Sequence, residues 1–191
     1  MYNLNIRAWA SWLSGLLLPC WNLAMNLIIV DIQPIYFNFF PRPQSDFLNK
    51  LSKAIDTASK VFWYFNDEDM GESDTDSCVI NMIRDYIKEN RFEKIEFIEK
   101  QYGFLRDWMD NRYNKYKIIE TIQVLKENNL TQSTELEEFE TKCPIWIPDI
   151  KIPEIDFAHI CGGCDKYCLA EMEILLEALG IKTKRLPGII F

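Results

Sequence analysis

The stretch Met25-Asn-Leu-Ile-Ile-Val-Asp-Ile-Gln33 decides the fold, because a continuous run of branched apolar residues ends abruptly in an aspartate. Such a run, here residues 27–30, is typical of a strand that is buried on both faces of a parallel sheet. Downstream, short apolar runs alternate with helical patterns. This alternation predicts an α/β domain with a mostly parallel sheet flanked by helices, in a Rossmann-like three-layer arrangement. Further strands are predicted at residues 61–65, 95–98, 157–161 and 181–191, and helices at 44–59, 79–90 and 166–179.

The organisation of the chain is one domain, residues 25–191, after a hydrophobic extension, residues 1–24. The uncharged stretch 8–30 is long enough to suggest a membrane span, but its last part is better interpreted as the first strand. Three interpretations of residues 1–24 stay open: an appendage or a start-site artefact, a signal or membrane anchor, and an integral element packed on the domain. Residues 108–140 are predicted to form a helical insert that could cover the site or form an interface, including one in a homo-oligomer.

The charge and cysteine content narrow the possible partners and the compartment. The formal net charge of -8, with no cluster of basic residues, argues against a nucleic-acid partner, because phosphate binding needs grouped Lys and Arg. Of the six cysteines, three are grouped at positions 161, 164 and 168 rather than spread like disulfide staples. The sequence therefore predicts a reducing, cytoplasmic location, unless the extension acts as a signal or anchor.

Three polar residues stand where apolar strands or their turns finish: Asp31, Lys100 and Cys168. In an open parallel sheet the carboxyl ends of the strands meet at one crevice, where such folds bind ligands. A thiol in the first turn of a helix, beside an ammonium group, is expected to favour the thiolate. The turn Cys161-Gly-Gly-Cys-Asp165 offers glycines for tight backbone and amides for a developing oxyanion.

Three motifs in this chain resemble those of the isochorismatase-like cysteine hydrolases. The opening strand that ends at Asp31 is similar to that family's strand ending in Val-Asp-Met-Gln. The segment Ile98-Glu-Lys-Gln-Tyr-Gly-Phe104 resembles the second motif, and Ile160-Cys-Gly-Gly-Cys-Asp-Lys-Tyr-Cys168 resembles the nucleophile turn. The resemblance implies a catalytic triad of Asp31, Lys100 and Cys168.

The same resemblance implies a mechanism. Cys168 would attack an amide-like carbonyl, Asp31 would shuttle the proton, and Lys100 would hold the thiolate and orient the carboxylate. A thioester would form and then be hydrolysed. The family's oxyanion hole adjoins a non-proline cis bond, which by position is Gly163–Cys164 here, and the implied donors are the amides of Cys164 and Cys168.

The metal ligands of one branch of this family are missing from the sequence. Nicotinamidases carry an aspartate and paired histidines after the second strand, where this chain has Tyr64-Phe-Asn-Asp-Glu-Asp-Met70. We therefore expect no zinc site and no cofactor, and nicotinamide is not the favoured substrate. The acidic loop could take a hard cation, although a solvated loop is the better interpretation. The sole histidine, His159, is predicted to be a core residue of its strand.

A small-molecule substrate is expected to lie beside the strand ends. The residues predicted to line its pocket are Gln33, Tyr36, Tyr102 and Phe104. Their aromatic neighbours Phe37, Phe39 and Phe40 could extend a flat apolar pocket or belong to the ordinary core.

Three functions from different classes compete. The leading hypothesis is a metal-independent hydrolase that acts on a small-molecule amide. A second is a metal-binding protein in which His159, Cys161, Cys164 and Cys168 hold zinc or an iron-sulfur cluster, although their positions on a strand, a turn and a helix disfavour convergence. A third is a catalytically silent interaction module on the same fold.

Overall fold

A five-stranded parallel sheet forms the centre of the molecule, with strand order β3-β2-β1-β4-β5. The computed structural model describes residues 25–66, 75–100, 105, 114–136 and 145–191. The strands are β1 (Asn26–Val30), β2 (Lys60–Phe65), β3 (Ile95–Glu99), β4 (Phe157–Gly162) and β5 (Lys182–Ile190). The helices are α1 (Gln44–Thr57), α2 (Thr75–Ile83), α3 (Lys115–Glu127) and α4 (Cys168–Ala178), with 3-10 turns at Pro34–Phe39, Glu89–Lys94 and Ser133–Glu135. The predicted class, a parallel sheet flanked by helices, is confirmed.

The first and second parts of the chain add their strands to opposite sides of β1. From β1 the chain adds β2 and then β3 on one side, whereas β4 pairs with the other side of β1 and carries β5. Where the strand order reverses, the connections leave in opposite directions and open a crevice at the carboxyl ends of the strands. The crevice of this fold is therefore expected between the ends of β1 and β4.

The sheet is covered on both faces, as the unbroken apolar run of β1 predicts. Leu27 and Ile29 pack with α1 and α2 on one face, while Ile28 and Val30 pack with α4 on the other. All four side chains have no exposed surface. The central strand is thus fixed from both sides, and its end is held in a defined position.

The predicted helical insert contributes α3 to the described part of the chain. This helix packs against the outer side of α4 through a shared apolar cluster that includes Ile118, Ile122, Leu125, Ile174 and Leu175. The described part of the insert thus supports the helix that carries Cys168. Residues 1–24, and the ends of the insert at 108–113 and 137–140, lie outside the described residues. Within the described ranges, no helix has the length and apolar character that crossing a membrane requires.

One predicted helix differs from the structure by more than two residues at each end. The prediction of a helix over residues 79–90 is wrong at both ends, because α2 runs over Thr75–Ile83. Beyond Ile83 the chain is held by α1: the Tyr86 carbonyl accepts from Ser52 Oγ at 2.6 Å, and Arg91 Nε lies 2.8 Å from Asp56 Oδ1. These long-range contacts replace the helical continuation that the apolar spacing favoured.

Candidate active site

Asp31 is the first residue after β1 and lies at the point where the sheet order reverses. Its backbone has a φ of 51°, a left-handed conformation that aspartate adopts more readily than most non-glycine residues. Its amide still donates to the Tyr64 carbonyl at 2.9 Å, so the strand ladder holds it. The residue is fully buried. The left-handed residue ends β1 and fixes the Asp31 carboxylate at the carboxyl end of this strand, next to β4.

Lys100 directly follows β3 and reaches the same carboxylate. Its amide donates to the Phe65 carbonyl at 2.9 Å, and its Nζ lies 3.0 Å from Asp31 Oδ2. Neither side chain of the pair is more than 1% exposed. Burial alone would lower the pKa of Lys100, but the negative charge of the Asp31 carboxylate raises it. Lys100 is therefore a charged ammonium in the folded protein.

Cys168 is the first residue of α4, and Asp31, Lys100 and the Cys164 amide all act on its thiol. The Asp31 carboxylate and the Cys164 amide both act on this thiol, the carboxylate raising its pKa and the amide lowering it. Only 8% of the residue is exposed. Of the three residues predicted to form the site, Asp31 and Lys100 are in contact, and both act on the pKa of Cys168.

The charge state of Cys168 differs from the sequence prediction. Burial, and then the negative charge of Asp31, raise the pKa of the Cys168 thiol to about 12. The positive charge of Lys100 and the Cys164 amide lower the pKa by less. The expectation of a resting thiolate is therefore wrong, because desolvation and the carboxylate outweigh the helix terminus and the ammonium. At rest the site holds a thiol, a carboxylate and an ammonium.

The turn after β4 passes unusually close to the end of β1. Gly162 has a φ of 118°, and a Cβ on it would lie 1.9 Å from the Val30 carbonyl oxygen. The Gly163 amide donates to that same oxygen at 3.0 Å. The peptide bond between Gly163 and Cys164 is cis, as the resemblance implies. Glycine at position 162 is thus what lets the turn reach the end of β1 beside Asp31.

Phe191 holds this turn from the other side. Its amide donates to the Gly162 carbonyl at 3.2 Å, and its carbonyl accepts from the Asp165 amide at 2.7 Å. Its ring covers Gly163, where a Cβ would lie 2.3 Å from the ring carbons. The residue that follows β5 therefore fixes the backbone that carries the Cys164 amide.

The predicted pocket residues have different surroundings. Gln33 is fully buried, and its amide pairs with the backbone of Asn66: Nε2 donates to the Asn66 carbonyl at 3.0 Å and Oε1 accepts from the Asn66 amide at 2.9 Å. Tyr36 is half-buried, with ring centroids 6.5 Å from those of Phe39 and Phe191. Tyr102 lies outside the described residues, as does Phe104. The pocket stays a prediction, and Gln33 has a structural role whether or not it meets a substrate.

The neighbouring aromatic residues divide between surface and core. Phe40 is 2% exposed and stacks on Phe47, with centroids 4.7 Å apart. Phe39 is 70% exposed and Phe37 is 38% exposed. Phe40 is therefore a core residue, and the two exposed rings extend the surface beside Tyr36.

The alternative metal site is not assembled. His159 is partly buried on β4. Cys161 is buried, and its pKa is raised by desolvation, whereas Cys164 is exposed. Within the described ranges, no three His, Cys, Asp or Glu residues are grouped so that they could hold a metal ion. The four residues of the metal-binding hypothesis thus do not converge.

Two residues of the site were missed by the sequence analysis. Glu171 is 1% exposed and lies three residues after Cys168 on α4. A signal for it was present, because position 171 belongs to the inward face that the helical spacing gives to Cys168, Met172 and Leu175. For Phe191 no local signal exists, since its contacts with the turn depend on the pairing of β4 with β5.

Comparisons with known proteins give distant structural similarities. No protein-family model matches the sequence, and no curated protein matches it. Among solved structures, the chain is similar to a nicotinamidase from Staphylococcus aureus, with 12% identity and a TM-score of 0.42, covering 87% of this chain and 84% of that one.

Two further structures are similar at the same level. An isochorismatase family protein has 14% identity and a TM-score of 0.42, covering 87% of this chain and 80% of that one. A pyrazinamidase/nicotinamidase from Streptococcus mutans has 12% identity and a TM-score of 0.45, covering 87% and 86%.

Proposed function

We propose that the protein is a metal-independent cysteine hydrolase of the isochorismatase-like type, which cleaves a C–N amide bond in a small molecule. The observation that carries the proposal is the effect of one carboxylate on two partners. The Asp31 carboxylate raises the pKa of the Cys168 thiol and lies 3.0 Å from the Lys100 ammonium. A nucleophile beside a base that a third group orients is the arrangement that covalent catalysis requires.

The first half of the reaction transfers the acyl group to sulfur. The Cys168 sulfur attacks the carbonyl carbon while its proton passes to Asp31, so that no free thiolate accumulates. The Cys164 amide, which points at the sulfur, would donate to the oxygen of the tetrahedral intermediate together with the Cys168 amide. When the C–N bond breaks, the proton moves from Asp31 to the departing nitrogen. The products are an amine and a thioester.

The second half regenerates the thiol. Water attacks the thioester carbon and gives a proton to Asp31, the carbon–sulfur bond breaks, and the same proton returns to the sulfur. The balance is one amide and one water consumed, and one carboxylic acid and one amine formed. Lys100 keeps Asp31 ionised before each proton transfer, because its positive charge disfavours the protonated acid.

The raised pKa of Cys168 agrees with this sequence of steps. A group held as a thiol needs a base that takes its proton during attack, and Asp31 is the nearby carboxylate that acts on this thiol. None of these steps requires a metal ion.

The test is a screen of small primary amides, comparing the wild type with Cys168→Ala and with the matched variant Cys161→Ala. Cys161 is a second buried cysteine of the same motif, located in β4 and outside the proposed chemistry. We expect ammonia release by the wild type and by Cys161→Ala, its loss in Cys168→Ala, and an acyl adduct on Cys168 by mass spectrometry. Equal turnover by Cys168→Ala would contradict the proposal. Absence of turnover and of any adduct across the panel would favour a silent module.

A further inference from the structure

Arg185 on β5 binds carboxylates from two other segments of the chain. Its Nε lies 2.9 Å from Oε1 and 3.0 Å from Oε2 of Glu173, and its Nη2 donates to the same Oε2 at 2.6 Å. Its Nη1 donates to Asp165 Oδ1. A guanidinium presents its donors in a rigid planar fork, so it can hold two carboxylates in a fixed relative position. Arg185 thus joins α4, which carries Glu173, to the turn that carries Asp165.

Both carboxylates belong to segments that carry groups of the proposed reaction. Asp165 directly follows Cys164, whose amide is a proposed oxyanion donor, and Glu173 lies five residues after Cys168 on α4. The Cys164 carbonyl also accepts from the Leu169 amide at 3.2 Å. The nucleophile turn and the start of α4 are therefore joined twice, by this backbone hydrogen bond and by the guanidinium of β5.

The pairing of β5 with β4 is irregular between the two places where β5 holds the turn. Ile160 pairs with Arg185, but the next pair in the register is Gly162 with Ile190. The four residues between these partners in β5 thus stand opposite a single residue of β4. The backbone of Phe191 holds the turn after this irregularity, and the Arg185 side chain holds it from the residue before. Arg185 supplies a contact where the regular ladder is interrupted.

We propose that Arg185 is a positioning residue of the candidate active site, which holds the turn with the Cys164 amide against the helix that begins with Cys168. This role rests on the proposed function, because the place of that amide matters to catalysis only if an oxyanion forms beside it. Arg185 acts through Asp165 and Glu173 and takes no part in the transfer of protons.

The exposure of this cluster predicts a local effect. The side chain of Arg185 is 39% exposed, that of Asp165 is 47% exposed and that of Glu173 is 18% exposed. Ion pairs at such positions contribute little to global stability. Without the guanidinium, however, the two carboxylates would lie near each other without a cation between them and would repel each other. Loss of Arg185 should therefore loosen the turn from α4 while the sheet stays folded.

The first test compares native-state hydrogen exchange in the wild type, Arg185→Gln and the matched control Arg91→Gln. Arg91 is also a partly exposed arginine, but its partner is Asp56 on α1, at 2.8 Å. We expect the amides of Asp165 and Leu169 to exchange about fivefold faster in Arg185→Gln, as for loss of a strong exposed ion pair. They should exchange as in the wild type in Arg91→Gln. Unchanged exchange in Arg185→Gln, or an equal effect of Arg91→Gln, would overturn the proposal.

The second test separates a positioning role from a purely structural one. With an amide that the wild type hydrolyses, Arg185→Gln should lower kcat by about tenfold and change KM little, because a displaced oxyanion donor affects the transition state more than the bound substrate. An unchanged kcat, with a free energy of unfolding below that of Arg91→Gln, would show a merely structural role and overturn the proposal. The exchange measurement needs no substrate, so its outcome is separate from that of the amide screen.

Discussion

Asp31 Oδ2 and Lys100 Nζ lie 3.0 Å apart, and the two side chains are almost completely removed from solvent. Two charges taken out of water in this way lose hydration, and loss of one partner leaves the other uncompensated. The same carboxylate also raises the pKa of the Cys168 thiol. A change at Asp31 therefore alters the charge of the pair and the reactivity of the thiol at once.

The variant Asp31→Asn separates these two effects. Asparagine tolerates the left-handed backbone at this position, so the turn should be retained. We expect turnover to fall by about 10²-fold or more, because the proton acceptor is lost. Alkylation of Cys168 at neutral pH should nevertheless become faster, because the charge and hydrogen bond that raise its pKa are removed.

The free energy of unfolding of Asp31→Asn is a second measurement on the same variant. Breaking a buried ion pair by removing one partner costs about 3–5 kcal/mol, measured by chemical denaturation. The half-exposed carboxylate of Asp56, which pairs with Arg91 at 2.8 Å, gives the comparison variant Asp56→Asn, with a loss of about 1 kcal/mol or less. If the turnover and the rate of Cys168 alkylation both fell in Asp31→Asn, this result would argue against Asp31 as the base.

In the wild type, Cys168 should react with alkylating reagents mainly at alkaline pH. Its pKa is raised from the usual value of 9.0 to about 12, so the thiolate fraction near neutral pH is small and rises about tenfold per pH unit. Site-resolved alkylation should show Cys168 reacting far more slowly than the exposed Cys164 at pH 7. Fast reaction of Cys168 with a midpoint below 9 would contradict the assignment of a resting thiol.

The same shift has a consequence for stability. Because the folded state holds the thiol proton more tightly than the unfolded chain does, the stabilising contribution of this group is complete below about pH 9. It is lost as the pH rises from there toward 12. Denaturation of the wild type and Cys168→Ala across this range should show the wild type losing stability more steeply.

Gly162→Ala should destabilise the protein strongly. The added methyl group would meet the Val30 carbonyl oxygen at 1.9 Å, and the φ of 118° is unfavourable for alanine. We expect a loss of about 3 kcal/mol or more in the free energy of unfolding, together with loss of turnover.

Gly180→Ala is the matched variant for this prediction. Gly180 also has a positive φ, of 85°, but nothing lies within 4 Å of the added carbon. Its substitution should cost only the backbone strain, about 1 kcal/mol. Equal effects of the two substitutions would contradict the importance of the close approach to Val30.

Gln33→Ala distinguishes a structural role from a pocket role. The substitution removes both hydrogen bonds to the Asn66 backbone and leaves the buried Asn66 amide without its acceptor, at a cost of about 2–3 kcal/mol. Gln44→Ala, at the half-buried start of α1, removes only a long hydrogen bond of 3.5 Å to the Phe37 carbonyl and should change stability by about 0.5 kcal/mol or less. A changed KM without a loss of stability would favour substrate contact by Gln33.

The sequence predicted the parts of the site that depend on local pattern. The apolar run before Asp31, the glycine turn and the helix that begins near Cys168 each have a recognisable signature, and the structure places these elements beside one another. The meeting of Asp31 and Cys168 follows from parallel pairing of β1 with β4, which the alternating pattern predicts without specifying the strand order. The roles of the residues remain a proposal.

The features that escaped prediction depend on distant contacts or on burial. The early end of α2 follows from contacts with α1 that involve Ser52 and Asp56. The charge state of Cys168 depends on how completely the site is desolvated, which spacing along the chain does not reveal. Phe191 reaches the nucleophile turn only because β5 is next to β4.

The position of Phe191 couples the nucleophile turn to the edge of the sheet. If β5 frayed from β4, the Phe191 backbone would lose its hydrogen bonds to Gly162 and Asp165, and the Phe191 ring would no longer cover Gly163. The turn and the edge strand should therefore open as one cooperative unit. In native-state hydrogen exchange the amide of Asp165 would share the protection of the β5 amides, so the geometry around the nucleophile would persist only as long as the outermost strand stays docked.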